Sequence, residues 1–117
     1  MARRDLSGAV DFSVLERVAG GDAAVMEEIL DLFREQAAVW SGLLNPNGEA
    51  WRDACHTIKG AAAGVGAGHL AQACGAAEAA DGPMAAVMLD RVRDALDLAL
   101  ADVAAYQHEL LLRSLRS

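Results

Sequence analysis

The sequence of 117 residues is poor in the features that build sheets. Aromatic residues make up only 4% of the chain and proline occurs twice, whereas alanine, the strongest helix former, occurs 26 times. No stretch alternates β-branched or aromatic residues with polar ones, which a half-buried strand requires. These absences exclude a sheet architecture and predict an all-helical fold. A chain of this length can bury one core without disulfides or a structural metal, so we expect a single domain.

Positive charge is also scarce. Ten Lys and Arg residues stand against 17 Asp and Glu, so the formal net charge is −7, and the basic residues are scattered or confined to the two ends. Because phosphate backbones are bound by clustered cations, we expect no nucleic-acid partner. No run approaches the roughly 18 apolar residues of a membrane span, and no signal-like apolar segment begins the chain. We therefore expect no membrane partner and a cytoplasmic location.

The two cysteines, Cys55 and Cys74, lie inside helical patterns without the paired spacing of a metal site. We interpret them as small buried hydrophobes in a reducing compartment. The histidines do not complete a site with them, because Cys55 and His56 point about 100° apart on a helix and no ligand pair is spaced i, i+4. The sequence predicts no metal and no cofactor on this chain.

Helical periodicity divides residues 11–117 into five helices of one domain, behind a flexible leader of residues 1–10. The five segments are separated by turns rich in Gly, Pro or Asn, and cover approximately 11–19, 22–44, 49–65, 69–80 and 83 onward. Asp22 is suited to cap the second helix and Pro83 to open the last. The four later helices are amphipathic, so we expect an antiparallel up-down four-helix bundle with the short first helix capping one end.

Among the three histidines, His56 is set apart by its helix face. At 100° per residue the apolar stripe of the third helix fills an arc of about 80°, and His56 points roughly 170° from its centre. An ordinary surface histidine fits this position too, and we interpret His69 and His108 as such. The neighbours of His56 on the exposed face distinguish it: Arg52 at i−4, Lys59 at i+3, Gly60 at i+4 and Ala63 at i+7.

This neighbourhood suits a nucleophile that becomes anionic. Neutral imidazole can attack a phosphoryl group, and the ammonium of Lys59 can stabilise the charge of the phosphohistidine formed. Gly60 costs about 0.5 to 1 kcal/mol relative to Ala in the middle of a helix, and with Ala63 it leaves space for an approaching partner. The same small residues also suit close packing of helices, so both interpretations stand.

Glu78 is the residue that a helical hairpin places opposite His56. Reflection through the turn at Ala67 pairs positions 56 and 78, because residues equidistant from the turn of an antiparallel hairpin face each other. A carboxylate that accepts a hydrogen bond from the imidazole Nδ1–H fixes the tautomer and leaves Nε2 free to attack. The alternative for Glu78 is a solvated residue on the flank of its helix.

The residues around this hairpin resemble the signature of histidine-containing phosphotransfer (HPt) domains, H-x-x-K-G with a further glycine ten residues after the histidine: His56-Thr57-Ile58-Lys59-Gly60, then Gly66, Leu70, Cys74 and Glu78. The resemblance covers approximately residues 11–112. It implies that His56 is phosphorylated, Lys59 lies beside the phosphate and Gly60 provides clearance. It also implies that Glu78 is the hydrogen-bond partner of the imidazole. Ala61 and Ala62 depart from the small hydroxylated residues that often follow Lys-Gly.

The sequence therefore predicts a phosphoryl carrier without catalysis of its own. We expect His56 to shuttle a phosphoryl group between aspartates of two receiver domains, one in a hybrid histidine kinase and one in a response regulator. Mg²⁺ is expected only in the partner receiver, and no Gly-rich ATP loop is present. Two alternatives stay open: a chemotaxis-type substrate domain phosphorylated directly by a histidine kinase, and a helical adaptor that is never phosphorylated.

Docking of a receiver requires an apolar rim around the histidine. We expect this rim to come from the first helix, through Phe12, Leu15 or Val18, and from the exposed side of the second helix. Arg52, Gly60 and Ala63 are expected to contact the receiver beside His56, and we expect the protein to be a monomer.

Overall fold

The computed structural model describes residues 9–116, which form five α-helices and no strand. The helices are α1 (Phe12–Val18), α2 (Ala23–Leu43), α3 (Trp51–Val65), α4 (Gly68–Glu78) and α5 (Pro83–Arg116). The all-helical prediction is confirmed, and the boundaries differ from the predicted ones by a few residues at most. Within residues 9–116, no helix combines the length and the apolar character needed to cross a bilayer.

Local sequence accounts for the starts of α1, α2 and α5. The Asp22 side chain accepts hydrogen bonds from the backbone N–H groups of Ala24 and Val25, at 2.9 and 3.4 Å, and so caps α2 as predicted. Asp11 caps α1 in the same way through the N–H of Ser13. Pro83 is the first residue of α5, where its missing N–H leaves no helical hydrogen bond unmade.

Helices α2 to α5 enclose one apolar core. α3 contacts α2 and α4, and α5 contacts the same two helices, so α3 and α5 lie diagonally opposite each other. α2 and α5 run in opposite directions: Arg93, early in α5, donates to the Leu44 carbonyl at the end of α2, whereas Gln107, late in α5, donates to Asp31 at 2.8 Å. One residue in every three or four points inward from each helix, as amphipathic packing requires.

α1 lies against α3 and seals one end of this core. Phe12 and Leu15 are 2% and 0% exposed, and the Phe12 ring stacks on Tyr106 with 4.0 Å between centroids. The prediction that these two side chains contact a receiver is therefore wrong, because a buried side chain offers a partner no surface. Val18 is 66% exposed and stays available.

The residues that lead into α1 are held by a hydrogen bond to the turn between α3 and α4. The N–H of Asp11 donates to the Gly66 carbonyl at 2.8 Å, and Gly66 ends α3 with a left-handed φ of 89°. A Cβ at Gly66 would overlap the backbone carbonyl of Asp11, so this position has room only for glycine. Of the predicted leader, residues 1–8 lie outside the described part of the chain. Val10 is buried in the core, and its N–H donates to Asp102.

Candidate functional site

His56 projects from the outer face of α3. Its side chain is 74% exposed, whereas Cys55 and Ile58 on the other face are buried. The buried residues of α3 thus hold the helix backbone at His56 in place, and the imidazole ring points outward, as the periodicity predicts. His69 and His108 are exposed as well, at the start of α4 and late in α5.

Glu78, the last residue of α4, faces His56. Its Oε2 lies 3.3 Å from His56 Nδ1, near the long end of hydrogen-bond distances. The Glu78 side chain is only 23% exposed, because it lies in the groove between α3 and α4. The structure therefore brings together the two residues that reflection through Ala67 pairs.

Lys59 contacts the other oxygen of the same carboxylate. Its Nζ lies 3.1 Å from Glu78 Oε1, so one carboxylate bridges the imidazole and the ammonium. Lys59 lowers the pKa of Glu78 most, and His56 adds to this effect, while burial opposes it. The carboxyl group is thus held ionised. Sequence reasoning did not predict this ion pair. Reflection through Ala67 places Lys59 level with Gly75, one helical turn from Glu78.

Arg52 caps the carboxyl end of α4. Its guanidinium donates to the carbonyls of Glu78 and Ala80, at 2.5 and 3.3 Å, and lies 4.4 Å from the centroid of the Trp51 ring. The last carbonyls of a helix have no intrahelical partner, and a cation there complements the helix dipole. Arg52 was predicted only as a docking residue. In the structure it fixes the backbone that carries Glu78, a role that sequence reasoning missed.

Gly60 lies one turn beyond His56 on the exposed face of α3. An added Cβ at Gly60 would meet no atom within 4 Å, so close packing within this chain does not explain the glycine. Clearance for an approaching partner stays a prediction for Gly60. Ala63 and Gly64 continue the same exposed face, so side chains there stay short for two turns.

An apolar depression borders this face. It is a shallow cavity of about 230 Å³ where α1, α2 and α3 meet, lined by Val18, Ile29, Leu32, Phe33, Gln36, Ala61, Gly64 and Val65. Val18 and Leu32 are exposed at its rim. Leu32 is thus an exposed apolar residue of the second helix, and its contact with a receiver stays a prediction.

The two thiols lie beneath the site. Cys55 in α3 and Cys74 in α4 are both buried and form no disulfide. The neighbouring Cys55 thiol and burial raise the pKa of Cys74 far above its usual range. Such thiols act as small core residues, as the sequence indicates.

Comparison with known proteins identifies the class. The family model described as "Hpt domain" matches residues 23–105, which include His56, Lys59 and Glu78. The chain therefore belongs to the Hpt family and is a phosphotransfer protein of the phosphorelay type.

One solved structure is similar over nearly the whole length. The chain is 54% identical to histidine phosphotransferase ShpA from Caulobacter crescentus, with a TM-score of 0.82. The match covers 92% of this chain and 99% of that one. Among curated proteins, none matches the chain significantly.

Proposed function

We propose that this protein carries a phosphoryl group on His56 between the aspartates of two receiver domains, one in a hybrid histidine kinase and one in a response regulator. The observation that carries the proposal is the His56 imidazole itself, which is 74% exposed and has Nδ1 3.3 Å from an ionised carboxylate. An ordinary surface histidine does not need such a carboxylate. It also does not need a glycine one turn away, at a position where internal packing does not require glycine.

The transfer step follows from the orientation of the ring. With Nδ1–H donating to Glu78 Oε2, the lone pair of Nε2 attacks the phosphorus of the donor aspartyl phosphate. An N–P bond forms, the P–O bond to the aspartate breaks, and the aspartate leaves as a carboxylate. The proton on Nδ1 stays on the ring, and Glu78 compensates the positive charge that the ring gains. Transfer to the second receiver is the same step in reverse.

Lys59 stabilises the phosphorylated state in this scheme. In the described structure its ammonium pairs with Glu78 Oε1 at 3.1 Å, and its side chain is partly exposed. A phosphoryl group on the same helix face, one turn away, offers a stronger anionic partner. Lys59 then turns from the carboxylate to the phosphoryl oxygens, and Glu78 becomes fully available to the ring Nδ1–H.

The partner supplies the rest of the reaction. We propose that the chain holds no cofactor and catalyses no transfer alone, and that Mg²⁺ belongs to the receiver. The receiver docks on the short side chains of Gly60, Ala63 and Gly64, with Val18 and Leu32 as its apolar rim. α2 to α5 form an up-down four-helix bundle that acts as a monomer at micromolar concentrations. The free thiols suit a reducing cytoplasm.

The test is transfer from a panel of phosphorylated receiver domains to the protein and to two variants. His56→Gln is expected to accept no phosphoryl group, whereas His69→Gln, the control at another exposed histidine, accepts it at the wild-type rate. Labelling of His56→Gln would contradict the assignment. Transfer from no receiver, with labelling by an isolated histidine kinase, would favour the chemotaxis-type alternative. No labelling by either donor would favour the adaptor.

A further inference from the structure

The carboxylate that faces the imidazole is carried by the end of a short helix. Glu78 is the last of the 11 residues of α4, and the residues that follow it, Ala79 and Ala80, have only methyl side chains. The last carbonyls of a helix lack partners within it, so such an end frays unless other groups bind it. Ala77 is buried, but its methyl group packs on the inner side of the helix only. A hydrogen bond to the ring tolerates a displacement of about 0.5 Å, so Glu78 needs support from outside α4.

Arg52 provides this support from the first turn of α3. Its Nη1 donates to the Glu78 carbonyl at 2.5 Å, and its Nη2 donates to the Ala80 carbonyl at 3.3 Å. The two bonds hold the backbone on both sides of Ala79, the residue that ends α4. A guanidinium presents its N–H donors in a rigid planar fork, so it holds two acceptors in one geometry, whereas an ammonium does not.

Trp51 restricts the position of this guanidinium. The Arg52 Cζ lies 4.4 Å from the centroid of the Trp51 ring, and Trp51 is itself buried in the core. A cation over the face of an indole ring is attracted by the ring quadrupole. Arg52 thus connects a core residue of α3 to the end of α4.

Arg52 also lies one helical turn before His56 on the same helix. α3 therefore carries both the imidazole and the group that holds the end of α4. We propose that Arg52 is a positioning residue for phosphotransfer: it holds the end of α4 where the Glu78 carboxylate accepts the hydrogen bond from His56 Nδ1–H. This role rests on the proposed function, in which His56 accepts the phosphoryl group, and Arg52 acts on the ring through Glu78.

The contacts of Arg52 differ from those of Lys59, the other cation beside Glu78. Lys59 Nζ binds the carboxylate itself, 3.1 Å from Oε1, and lowers the pKa of Glu78. Arg52 binds the backbone carbonyl of the same residue. Lys59 therefore acts on the charge of the carboxylate, and Arg52 acts on its position. Lys59 can turn to a phosphoryl group without releasing the end of α4, whereas Arg52 cannot.

Asp81 provides a matched control for the charge of Arg52. Its Oδ1 lies 3.7 Å from Arg52 Nη2, but its side chain is 94% exposed. An exposed ion pair contributes little, because water screens it. If Arg52 acts through the two carbonyls, removal of the Asp81 carboxylate should leave the position of Glu78 unchanged.

Nitrogen-detected NMR of the unphosphorylated protein measures where the ring proton of His56 lies, and it needs no receiver. In wild type the neutral ring is expected to carry its proton on Nδ1. Arg52→Ala should shift the ratio of the two tautomers about fivefold towards Nε2–H, the change that loss of one net hydrogen bond produces. Asp81→Ala should leave the ratio unchanged. Arg52→Lys should recover part of the shift, because an ammonium can still bind one of the two carbonyls.

Phosphotransfer is measured with the phosphorylated receiver domain that labels wild type fastest. Arg52→Ala should slow this transfer roughly fivefold, while the receiver's dissociation constant changes less than about twofold. In a Glu78→Ala background the ring has no carboxylate to lose, so adding Arg52→Ala should change the rate less than about 1.5-fold. Circular dichroism shows whether each variant is folded. If Arg52→Ala does not fold, Arg52→Lys is compared with wild type, and a smaller tautomer shift in the same direction is expected.

An unchanged tautomer ratio in a folded Arg52 variant would overturn the proposal, as would an equal shift from Asp81→Ala. Full multiplication of the two rate effects in the double variant would also overturn it, because Arg52 would then act independently of Glu78. Weaker receiver binding with an unchanged tautomer ratio would assign Arg52 to docking instead. If no receiver labels wild type, the proposed function fails, whereas a tautomer shift in Arg52→Ala still supports the action of Arg52 through Glu78.

Discussion

Gly66→Ala is expected to destabilise the protein by roughly 3 kcal/mol, because the turn between α3 and α4 has no room for a methyl group. The left-handed backbone there, with φ of 89°, costs a residue other than glycine roughly 1 to 2 kcal/mol. The new Cβ overlaps the backbone carbonyl of Asp11 and lies 3.2 Å from Cβ of Val14. The start of α1 must therefore move, and the bond from Asp11 N–H to the Gly66 carbonyl, worth about 1 kcal/mol, is lost.

Gly64→Ala is the matched control, two residues earlier in the same sequence. Gly64 lies within α3, and an added Cβ there meets no atom within 4 Å. Alanine is favoured over glycine in a helix, so this variant should gain about 0.5 to 1 kcal/mol. Urea unfolding followed by circular dichroism measures both free energies of unfolding. If Gly66→Ala falls within about 1 kcal/mol of wild type, the contact between α1 and this turn does not constrain the fold as argued.

Three further changes separate the roles at the site. Lys59→Ala should slow phosphotransfer roughly tenfold while the receiver's dissociation constant changes less than about twofold; parallel changes in both, measured by stopped-flow transfer and calorimetry, would contradict the assigned role. Gly60→Gln should instead abolish receiver binding in calorimetry while circular dichroism shows an unchanged fold, and retained binding would show that the receiver does not use this face. Glu78→Gln should lose stability relative to wild type above pH 4.5, the ordinary pKa of the carboxyl. Because Lys59 and His56 lower that pKa in the folded state, the stabilisation is lost as pH falls through the lowered value. A difference between the two proteins that persists unchanged at low pH in urea titrations would contradict the ion pair.

Helical periodicity and the position of the turn at Ala67 predicted much of the fold and the pairing of His56 with Glu78. Helix spacing identifies which residues share a face, and the position of a turn identifies which residues of a hairpin lie at one level. Both are local properties of the chain. The exposed histidine and its carboxylate follow from these two rules without knowledge of the other helices.

Features that depend on several helices could not be predicted in this way. Phe12 and Leu15 have the spacing of one helix face, but only the packing of α1 on the other helices shows that this face is buried. Lys59 and Arg52 have long flexible side chains, and their contacts with Glu78 and the end of α4 depend on the distance between two helices. Gly66 is required because a remote segment at Asp11 crosses its turn.

The central claim is that His56 receives the phosphoryl group on Nε2 while Glu78 holds Nδ1. Nitrogen-detected NMR of the isotopically labelled protein, after transfer from a phosphorylated receiver domain, tests it most directly by nitrogen–phosphorus coupling. The account predicts a single phosphoryl group, coupled to Nε2 of His56, with a proton on Nδ1. A phosphoryl group on Nδ1, or on His69 or His108, would contradict it.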